Sequence, residues 1–479
     1  MRTGVWYLQE IILQLRSAPA YLLLLEAVLL VWLIKVLFFT KSYKPHRTKL
    51  TQKEKEDLVE EWTPEPLVPD TPADHPGLHP RSFEGKLGKI IRINGQDCIN
   101  LASLNFLDMN GNEEIEAGAI KTLKKYGVGA CGPRGFYGTI DIHLELEDKL
   151  SAFLGLEEVA QYSYGFSVLS TAIPAYAKSG DVIFCDEGAC FAIQQGLRAS
   201  RSKVWFFKHN DADDLERMMK LQDDIDQKNP QKALTLRRFL VVEGLYMNYG
   251  DICPLPKLIE LKKRYKVRMF LDESLSFGVL GANGKGVTEY FGVPITDVDW
   301  IGASLENCMA TTGGFCGGRA FVMNHQRLGG LGYAFSAALP SMLASSTITS
   351  LEQMQRSPDM FVTLARNATY MQQKLESIPG MTLKGLPISP IKHLSLEGSM
   401  ETRKQEVCLL EEVVQEAESR GVAIVLARYL DDMEYILPKP SIRVAVSSGF
   451  SVEELSRAAD VVATACATVL ARHRGVEAN

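Results

Sequence analysis

The chain has 479 residues, of which 46% are hydrophobic and 23% charged, and 52 Lys and Arg residues against 58 Asp and Glu give a net charge of −6. These ordinary globular values exclude a disordered, collagen-like or coiled-coil chain, and the length predicts two or three lobes. A mildly acidic chain lacks the basic surplus that nucleic-acid binding needs, so we expect no nucleic-acid partner. The nine cysteines are irregularly spaced without a C-x-x-C pair, which argues against a disulfide framework and a structural zinc site.

An apolar run near the N-terminus covers residues 20–39, and only Glu26 and Lys35 interrupt it. Twenty helical residues span roughly 30 Å, the thickness of a bilayer core, so we predict one membrane-spanning helix over residues 18–40. A cleaved signal peptide and a buried helix of a soluble protein are the alternatives. Helix-like spacing before the run also suggests an interfacial helix within residues 1–17.

Basic residues cluster directly after the apolar run. They are Lys41, Lys44, Arg47 and Lys49. The positive-inside rule then predicts a lumenal N-terminus and a cytosolic location for the remaining 430-odd residues. Residues 41–93 are polar and then proline-rich, which is typical of a linker or a strap over a surface.

Short apolar runs alternate with helical patterns between residues 94 and 339. Strands are predicted at residues 181–185, 204–207, 239–243, 267–271 and 300–303, and helices at 191–200, 211–221 and 254–265. This rhythm of near-continuous apolar strands and helices predicts a large α/β domain with a mainly parallel sheet.

Residues 340–479 show a different pattern of predicted elements, with longer helices and fewer strands. Long helices are predicted at residues 360–378 and 403–420, a strand at 442–446, and a final helix after a capping box at Ser451 and Glu454. We therefore expect a smaller α+β domain at the C-terminal end.

Three polar or glycine-rich features follow predicted strands in order. Asp272 ends one strand, Asn307 lies shortly after the next, and Gly313–Gly318 reads GGFCGG. Functional groups of α/β enzymes gather at the carboxyl ends of parallel strands, and glycines allow tight turns and close backbone approach. Taken singly, a strand-end aspartate is more often a cap and a GGxxGG segment more often a turn.

Several longer signatures occur in the order of one known family. They read YGVGACGPRGFYGT at 126–139, HLELE at 143–147, VVEGLYM at 241–247, DESLSFGVLG at 272–281 and FSAALP at 335–340. With the three strand-end features, they resemble the α-oxoamine synthase family of pyridoxal-phosphate (PLP) enzymes over roughly residues 95–465. The resemblance implies the type I PLP-transferase fold, with a seven-stranded-type sheet in the large domain.

The resemblance also implies which residues would hold the cofactor, and most of them are replaced. The family's PLP lysine comes six residues before a Gly-Gly pair, a position that Asn307 occupies here. Cys190 and Leu275 stand where the family has histidines, whereas Asp272 is retained. We do not expect Lys285 to take over the role of the lysine. The chain's own site is therefore predicted to be vestigial, without catalytic residues of its own.

Two further positions near the C-terminus bear on this prediction. Arg443 matches an arginine that lies near the substrate carboxylate in relatives, but the nearby histidine has become Phe450. We expect PLP to be bound by a partner chain rather than covalently by this one, and we expect no metal.

Members of this family are dimers with active sites at the subunit interface, so this chain can still complete a partner's site. The candidate contributions are Cys131, Arg134, Tyr137, Tyr164 and Ser336. The alternative for each of them is interface packing without substrate contact.

The resemblance thus implies a non-catalytic subunit of a heterodimer that condenses L-serine with palmitoyl-CoA to 3-oxosphinganine. The expected partners are a lysine-bearing catalytic subunit, small membrane subunits, regulatory membrane proteins and membrane lipids. The expected location is the endoplasmic reticulum membrane, which the chain crosses once. An active homodimeric synthase and a membrane scaffold or lipid-sensing subunit are the alternatives.

Overall fold

The computed structural model describes residues 19–39, 50–68, 70–73, 75–309 and 311–477. It contains two compact units, residues 1–80 and 81–479. The predicted interfacial helix and the basic cluster after the apolar run lie outside the described residues.

The first unit contains the predicted apolar helix. It runs over Ala20–Ile34 and continues as a π-helical turn over Lys35–Phe39. By length and composition, the stretch Ala20–Phe38 can cross a membrane. The described side chains of this stretch lie exposed, as expected of a helix whose apolar surface has no protein core around it.

The segment predicted as a linker contains regular structure as well. A helix at Gln52–Glu61 begins with a capping box, in which the backbone N–H of Glu54 donates to Thr51 Oγ1 at 3.3 Å and that of Thr51 donates to Glu54 Oε2 at 2.7 Å. Reciprocal capping satisfies otherwise free donors and stabilises a helix in a segment without an apolar face. A short 3-10 turn follows at Pro76–Leu78.

Fifteen strands lie among the described residues, all of them in the second unit. They are β1 Phe83–Glu84, β2 Ile90–Ile93, β3 Gln96–Asn100, β4 Glu158–Tyr162, β5 Val182–Asp186, β6 Lys203–Phe207, β7 Arg238–Glu243, β8 Arg268–Asp272, β9 Trp300–Ser304, β10 Gly314–Gly318, β11 Met381–Lys384, β12 Ile391–Leu396, β13 Val422–Ala423, β14 Val425–Leu426 and β15 Ile442–Ala445.

The helices of the second unit cover the sheets. They are Glu113–Tyr126, Asp141–Leu154, Gly165–Tyr176, Phe191–Ser200, Ala212–Lys228, Pro230–Thr235, Leu255–Tyr265, Val287–Phe291, Ala320–Gly329, Leu331–Ala334, Ser341–Arg356, Asp359–Leu375, Arg403–Ser419 and Val452–Glu477. A π-helical turn at Arg134–Gly138 and a 3-10 turn at Ile295–Asp297 complete the set.

A seven-stranded sheet forms the centre, with strand order β4-β10-β9-β8-β7-β5-β6. The strands β6, β5, β7, β8 and β9 run parallel to their neighbours, and β10 pairs antiparallel with both β9 and β4. The predicted mainly parallel sheet is therefore confirmed. Strands with apolar side chains on both faces require helices on both sides, which is why β7 and β8 read as continuous apolar runs.

The glycine-rich segment does not form the expected turn. Gly314–Gly318 is the buried strand β10, and only Gly313 before it has a left-handed backbone, with φ of +111°. A Cβ on Gly314 would lie 2.6 Å from Val168 Cγ2 and 2.7 Å from Ala303 O. Glycine is needed here for close packing inside a sheet, which the sequence pattern cannot distinguish from a turn.

Two smaller sheets complete the second unit. An antiparallel sheet has the order β11-β12-β15-β14, and a mixed sheet has the order β1-β2-β3-β13. Strand β13 pairs parallel with β3, so a strand from the C-terminal portion joins the sheet formed at residues 83–100. Strands β1 and β2 lie within the segment predicted as a linker. The proposed boundary at residue 340 between a large and a small domain stays a prediction.

Candidate functional site

Two carboxylates meet at the carboxyl edge of the central sheet. Glu243 ends β7, Asp272 ends β8, and the two residues are register partners in this parallel pair. Both are buried, with exposed fractions of 2% and 3%. Parallel strands bring their carboxyl ends to one edge, and the sequence prediction that Asp272 lies at such an end is correct.

Cys190 closes this acid pair from the side. Its backbone N–H donates to Glu243 Oε1 at 2.5 Å, and its thiol donates toward Asp272 Oδ2 at 3.9 Å. Met247 N–H donates to the other oxygen of Glu243 at 3.2 Å, and Ser274 N–H donates to Asp272 Oδ1 at 2.8 Å. The cluster is therefore tied to the backbone of three different loops.

Burial dominates the electrostatics of the cluster. It raises the pKa of Asp272, and together with the neighbouring Asp272 carboxylate it raises the pKa of Glu243. Burial also raises the pKa of the Cys190 thiol well above its ordinary value. A thiol held in its neutral form is a poor nucleophile, so Cys190 does not provide one for catalysis.

The three donor groups are close enough together for a single metal ion. Ligand atoms of Cys190, Glu243 and Asp272 lie within 4.8 Å of one another. The resemblance places Cys190 and Asp272 at one site, but it did not single out Glu243, which comes from a third segment of the chain. The backbone hydrogen bonds to both carboxylates already stabilise the cluster without an ion.

Asn307 lies just beyond the end of β9 and is 7% exposed. Its side-chain amide donates to Ser274 O at 2.7 Å, and its backbone carbonyl accepts from Phe106 N–H at 3.1 Å. An amide nitrogen shares its lone pair with the carbonyl and cannot form an imine with an aldehyde. The residue at this position therefore does not fit a covalently held PLP.

Other positions assigned by resemblance have become parts of the core. Leu275 and Phe450 are each 3% exposed and pack in the hydrophobic cores of the second unit. Lys285 is half-buried, and its ammonium lies 5.5 Å from the ring centroid of Phe153. Leu275 and Phe450 are apolar, and the Lys285 ammonium lies over an aromatic ring. These residues therefore offer few groups that could bind a cofactor.

Arg443 is retained in a half-buried position without a carboxylate partner among the described residues. Its Nη2 donates to Ala102 O at 3.2 Å, and its Nη1 lies 3.8 Å from Met247 Sδ. Burial lowers the pKa of this guanidinium. The arginine therefore bridges β15 to the segment after β3.

The candidate partner-facing residues lie on segments that the structure brings together. The loop 131–138 forms an isolated antiparallel bridge to segment 335–338 between Pro133 and Ala337, and Ala338 N–H donates to Gly132 O at 2.9 Å. The hydroxyl of Ser163 donates to Ala337 O, which brings in the segment that carries Tyr164. Candidates more than 190 residues apart in sequence therefore share one surface.

These candidates differ in how much they present to solvent. Cys131, Tyr137 and Tyr164 are exposed and Ser336 is half-buried. Cys131 and Tyr137 have left-handed backbones, with φ of +55° and +63°. Such conformations strain residues other than glycine and persist only where the surroundings impose them.

The Arg134 side chain forms a buried ion pair with a residue of the same chain. Its guanidinium forms two hydrogen bonds with Glu147, at 2.7 and 2.9 Å, and its Nε donates to Thr139 Oγ1 at 3.0 Å. Both partners of this ion pair are buried, with side chains 5% and 8% exposed. The ion pair therefore anchors the exposed loop 131–138 to the helix Asp141–Leu154.

A half-buried histidine that the sequence analysis did not single out lies next to this edge. The ring nitrogens of His209 lie 2.7 Å from Asp186 Oδ1 and 3.0 Å from Asp251 Oδ1, and the ring stacks on Tyr249 with centroids 4.0 Å apart. Burial opposes its charge, but the hydrogen bonds to the two aspartates raise the pKa of His209 to about 10. The two aspartates lie 23 and 42 residues from His209 in the sequence, so no local motif predicts this cluster.

The fold and this edge define a class of protein. Residues 96–462 match the family model described as aminotransferase class I and II. The match covers well over half of the chain, and the chain belongs to that family.

Relatives at higher identity narrow the comparison. The chain is 40% identical over 427 residues to long chain base biosynthesis protein 1 from Arabidopsis thaliana, covering 89% of this chain and 88% of that protein. It is 37% identical over 475 residues to serine palmitoyltransferase 1 from Dictyostelium discoideum, covering 97% of both. These relatives confirm the resemblance inferred from the sequence signatures.

A solved structure shares the fold. Serine palmitoyltransferase from S. paucimobilis, solved as a lysine variant with a bound PLP–myriocin aldimine, superposes with a TM-score of 0.73 at 22% identity. The match covers 87% of this chain and 96% of that one. The predicted PLP-transferase fold is thereby confirmed.

Proposed function

We propose that this chain is the non-catalytic, membrane-anchored subunit of a serine palmitoyltransferase heterodimer. A lysine-bearing partner, serine palmitoyltransferase subunit 2, would hold PLP and condense L-serine with palmitoyl-CoA to 3-oxosphinganine, releasing CO2 and CoA. This is the first step of sphingolipid biosynthesis. The names of the relatives, long chain base biosynthesis protein 1 and serine palmitoyltransferase 1, support this assignment.

The observation that carries the proposal is the amide at Asn307. Covalent attachment of PLP requires a primary amine, and the Asn307 amide instead donates to Ser274 O at 2.7 Å. The sequence contains no lysine between Lys285 and Lys374, so no neighbouring amine replaces it. In this proposal PLP is bound by the partner.

The contribution of this chain to the reaction would be a wall of the partner's site. The bridge between loop 131–138 and segment 335–338 presents Cys131, Tyr137 and Ser336 on one surface. The buried ion pair between Arg134 and Glu147 fixes that loop from inside. A wall built before the partner arrives orders substrate without losing further conformational entropy on assembly.

The second contribution would be membrane placement. The apolar helix Ala20–Phe38 supports a single-pass anchor, and the basic residues after it support a lumenal N-terminus and a cytosolic fold. We extend the proposal to the endoplasmic reticulum membrane, where small membrane subunits and regulatory membrane proteins would bind this helix. Glu26 is a contact candidate, because a carboxylate inside a bilayer favours a partner helix.

Borohydride trapping tests the division of roles. The chain is tagged and purified alone and with its lysine-bearing partner, each sample is reduced with borohydride in the presence of PLP, and modified lysines are mapped by mass spectrometry. We expect no phosphopyridoxyl-lysine on this chain and one on the partner. A modified lysine on this chain with activity in the absence of a partner would establish the homodimeric synthase instead.

Bulky substitutions test whether the wall touches substrate. Cys131→Phe and Ser336→Tyr should lower condensation activity or alter amino-acid selectivity of the assembled complex. Cys408→Phe is the matched control, because Cys408 is also exposed but lies on the helix Arg403–Ser419. Unchanged activity and selectivity in a complex that still assembles would favour the scaffold alternative.

A further inference from the structure

A cavity lies at the edge of the central sheet opposite to the acid pair. It is formed where β7, β8 and β9 begin and β10 ends, has a volume of about 390 Å³, and is called here the amino-edge pocket. Pockets that bind small molecules usually measure roughly 300 to 1,000 Å³. Because parallel strands separate their two ends, this pocket is distinct from the site around Asp272.

Aromatic side chains form the floor and one wall of the amino-edge pocket. The ring of Phe270 lies 5.4 Å from Tyr176, 5.5 Å from Phe239 and 5.2 Å from Trp300, measured between centroids. Phe321 adds an exposed ring at the mouth. The pocket therefore presents a continuous apolar surface at the end of the sheet.

The side of the wall formed by Tyr176 and His325 is preformed, because the polar groups of both side chains already contact backbone carbonyls. The Tyr176 hydroxyl donates to Val322 O at 2.9 Å, and His325 Nε2 lies 3.0 Å from Ala175 O. The rings of Tyr176 and His325 lie 4.9 Å apart. These bonds join the helix Gly165–Tyr176 to the helix Ala320–Gly329, so a ligand would not need to order the wall.

Arginines surround the mouth. Arg237, Arg268 and Arg319 line the pocket, against a single carboxylate from Asp299. Asp299 is neutralised by Arg268 at 2.8 Å and by Lys262 at 2.7 Å. Positive charge therefore exceeds negative charge at the mouth.

The three arginines differ in their ion pairs with the protein. Arg237 forms an ion pair with Asp181 at 2.8 Å, whereas Arg319 has no acidic partner among the described residues. Its position directly after β10 and before the helix Ala320–Gly329 fixes its backbone at the rim. Guanidinium groups bind phosphate and carboxylate with two parallel hydrogen bonds, and a phosphate monoester carries the larger negative charge of the two at neutral pH.

We propose that the amino-edge pocket binds a small amphipathic phosphate monoester, with its apolar part among the rings and its phosphate at Arg319 and Arg268. This inference is independent of the proposed function, since it uses neither the acid pair nor the loop 131–138. The phosphate could belong to a free single-chain molecule or to the head group of a membrane lipid, since the chemistry recognised is the same.

Octyl phosphate is the probe for this proposal. The full chain is reconstituted in phosphatidylcholine nanodiscs, and binding is measured by isothermal titration calorimetry. We expect saturable binding of octyl phosphate, and at least tenfold weaker binding of octan-1-ol and of inorganic phosphate, since each lacks one half of the ligand. Absence of saturable octyl phosphate binding would overturn the proposal.

Variants place the binding in the pocket. Arg319→Gln should weaken octyl phosphate binding at least tenfold because a charge-assisted hydrogen bond is lost. Thr296→Trp should abolish binding by filling the mouth, where Thr296 is exposed, without disturbing the core. Arg201→Gln, an exposed arginine outside the lining, should bind as the unmodified chain does. Unchanged affinity in a folded Arg319→Gln or Thr296→Trp variant would refute the assignment.

Nanodiscs with added phosphatidic acid distinguish the two sources. If the lipid head group is the ligand, phosphatidic acid in the bilayer competes and weakens octyl phosphate binding. If a free single-chain phosphate is the ligand, binding is the same with and without phosphatidic acid. Either result supports ligand binding in the amino-edge pocket and identifies which of the two sources supplies the phosphate.

Discussion

The buried ion pair between Arg134 and Glu147 gives the sharpest test of how the partner-facing loop is held. Glu147→Gln keeps the size of the side chain and one oxygen acceptor, but it removes the charge that compensates Arg134. Both side chains are nearly buried, at 5% and 8% exposed, so water cannot replace the lost partner. Breaking a buried pair by removing one charge costs about 3–5 kcal/mol.

The loss of stability caused by Glu147→Gln depends on the presence of Arg134, so a double-mutant cycle can measure the interaction between the two residues. In an Arg134→Met background Glu147 is itself the buried charge without a partner, so Glu147→Gln should then leave the stability unchanged or raise it. The difference between the two backgrounds is the coupling energy of the pair. The remaining acceptor of residue 147 keeps its hydrogen bond from Gln161 N–H, which is 2.9 Å long in the unmodified chain.

The assay is urea unfolding followed by tryptophan fluorescence, with the slope compared between variants so that midpoints report stability. Glu114→Gln is the matched control, because its ion pair with Arg356 is exposed, at 53% and 55%, and the midpoint should barely move. Equal costs of Glu147→Gln in the two backgrounds would refute the claim that the charge pair holds the loop 131–138.

Three further predictions concern pH and packing. The pKa of His209 is raised to about 10 from an ordinary 6.5, so its contribution to stability is present below pH 6.5 and is lost toward pH 10. His209→Gln should therefore flatten the pH dependence of the urea midpoint in that window, and an unchanged profile would contradict this. The pKa of Glu243 is raised by burial, so the stability it contributes in its protonated form is lost as pH rises above the ordinary carboxyl range. Glu243→Gln should reduce that loss, as measured by thermal melts across pH, and an equal loss in both proteins would count against it. Gly314→Ala should destabilise the fold by about 1–3 kcal/mol because its Cβ would meet atoms at 2.6 and 2.7 Å, whereas Gly329→Ala, with its nearest neighbour at 3.6 Å, should not; equal unfolding midpoints for the two variants would argue against close packing at β10.

Elements with strong local patterns were predictable from the sequence. The helix Phe191–Ser200 has its predicted bounds, and the strands β5, β7 and β8 lie within one residue of prediction. Their apolar runs are continuous because helices cover both faces of the sheet. The capping box at Ser451 also forms, with Glu454 N–H donating to Ser451 Oγ at 3.2 Å.

Features that depend on distant partners were not predictable in this way. The sequence GGFCGG does not reveal that Val168 and Ala303 press on Gly314, and this contact makes the segment a strand. The helix Ser341–Arg356, which lies where a domain boundary was expected, was missed for a related reason: serines and threonines obscure its apolar stripe.

The candidate site shows the same division. Resemblance assigned Asn307, Cys190 and Leu275 to one pocket, and the structure places Cys190 against Asp272 as expected of neighbours. The resemblance could not indicate that Arg134 forms an ion pair within the chain. Its partner, Glu147, is identified only by the fold of the turn between the two residues. Whether the exposed candidates touch substrate stays a prediction.

The pairing of β13 with β3 sets an order for synthesis on the ribosome. Residues 96–100 emerge with one edge of β3 open, and the strand that covers it, at Val422–Ala423, is made about 320 residues later. At roughly 5–20 residues per second, that edge waits about 15–65 s. An open strand edge is a site for unwanted pairing, so the nascent chain has most need of a chaperone between these two moments.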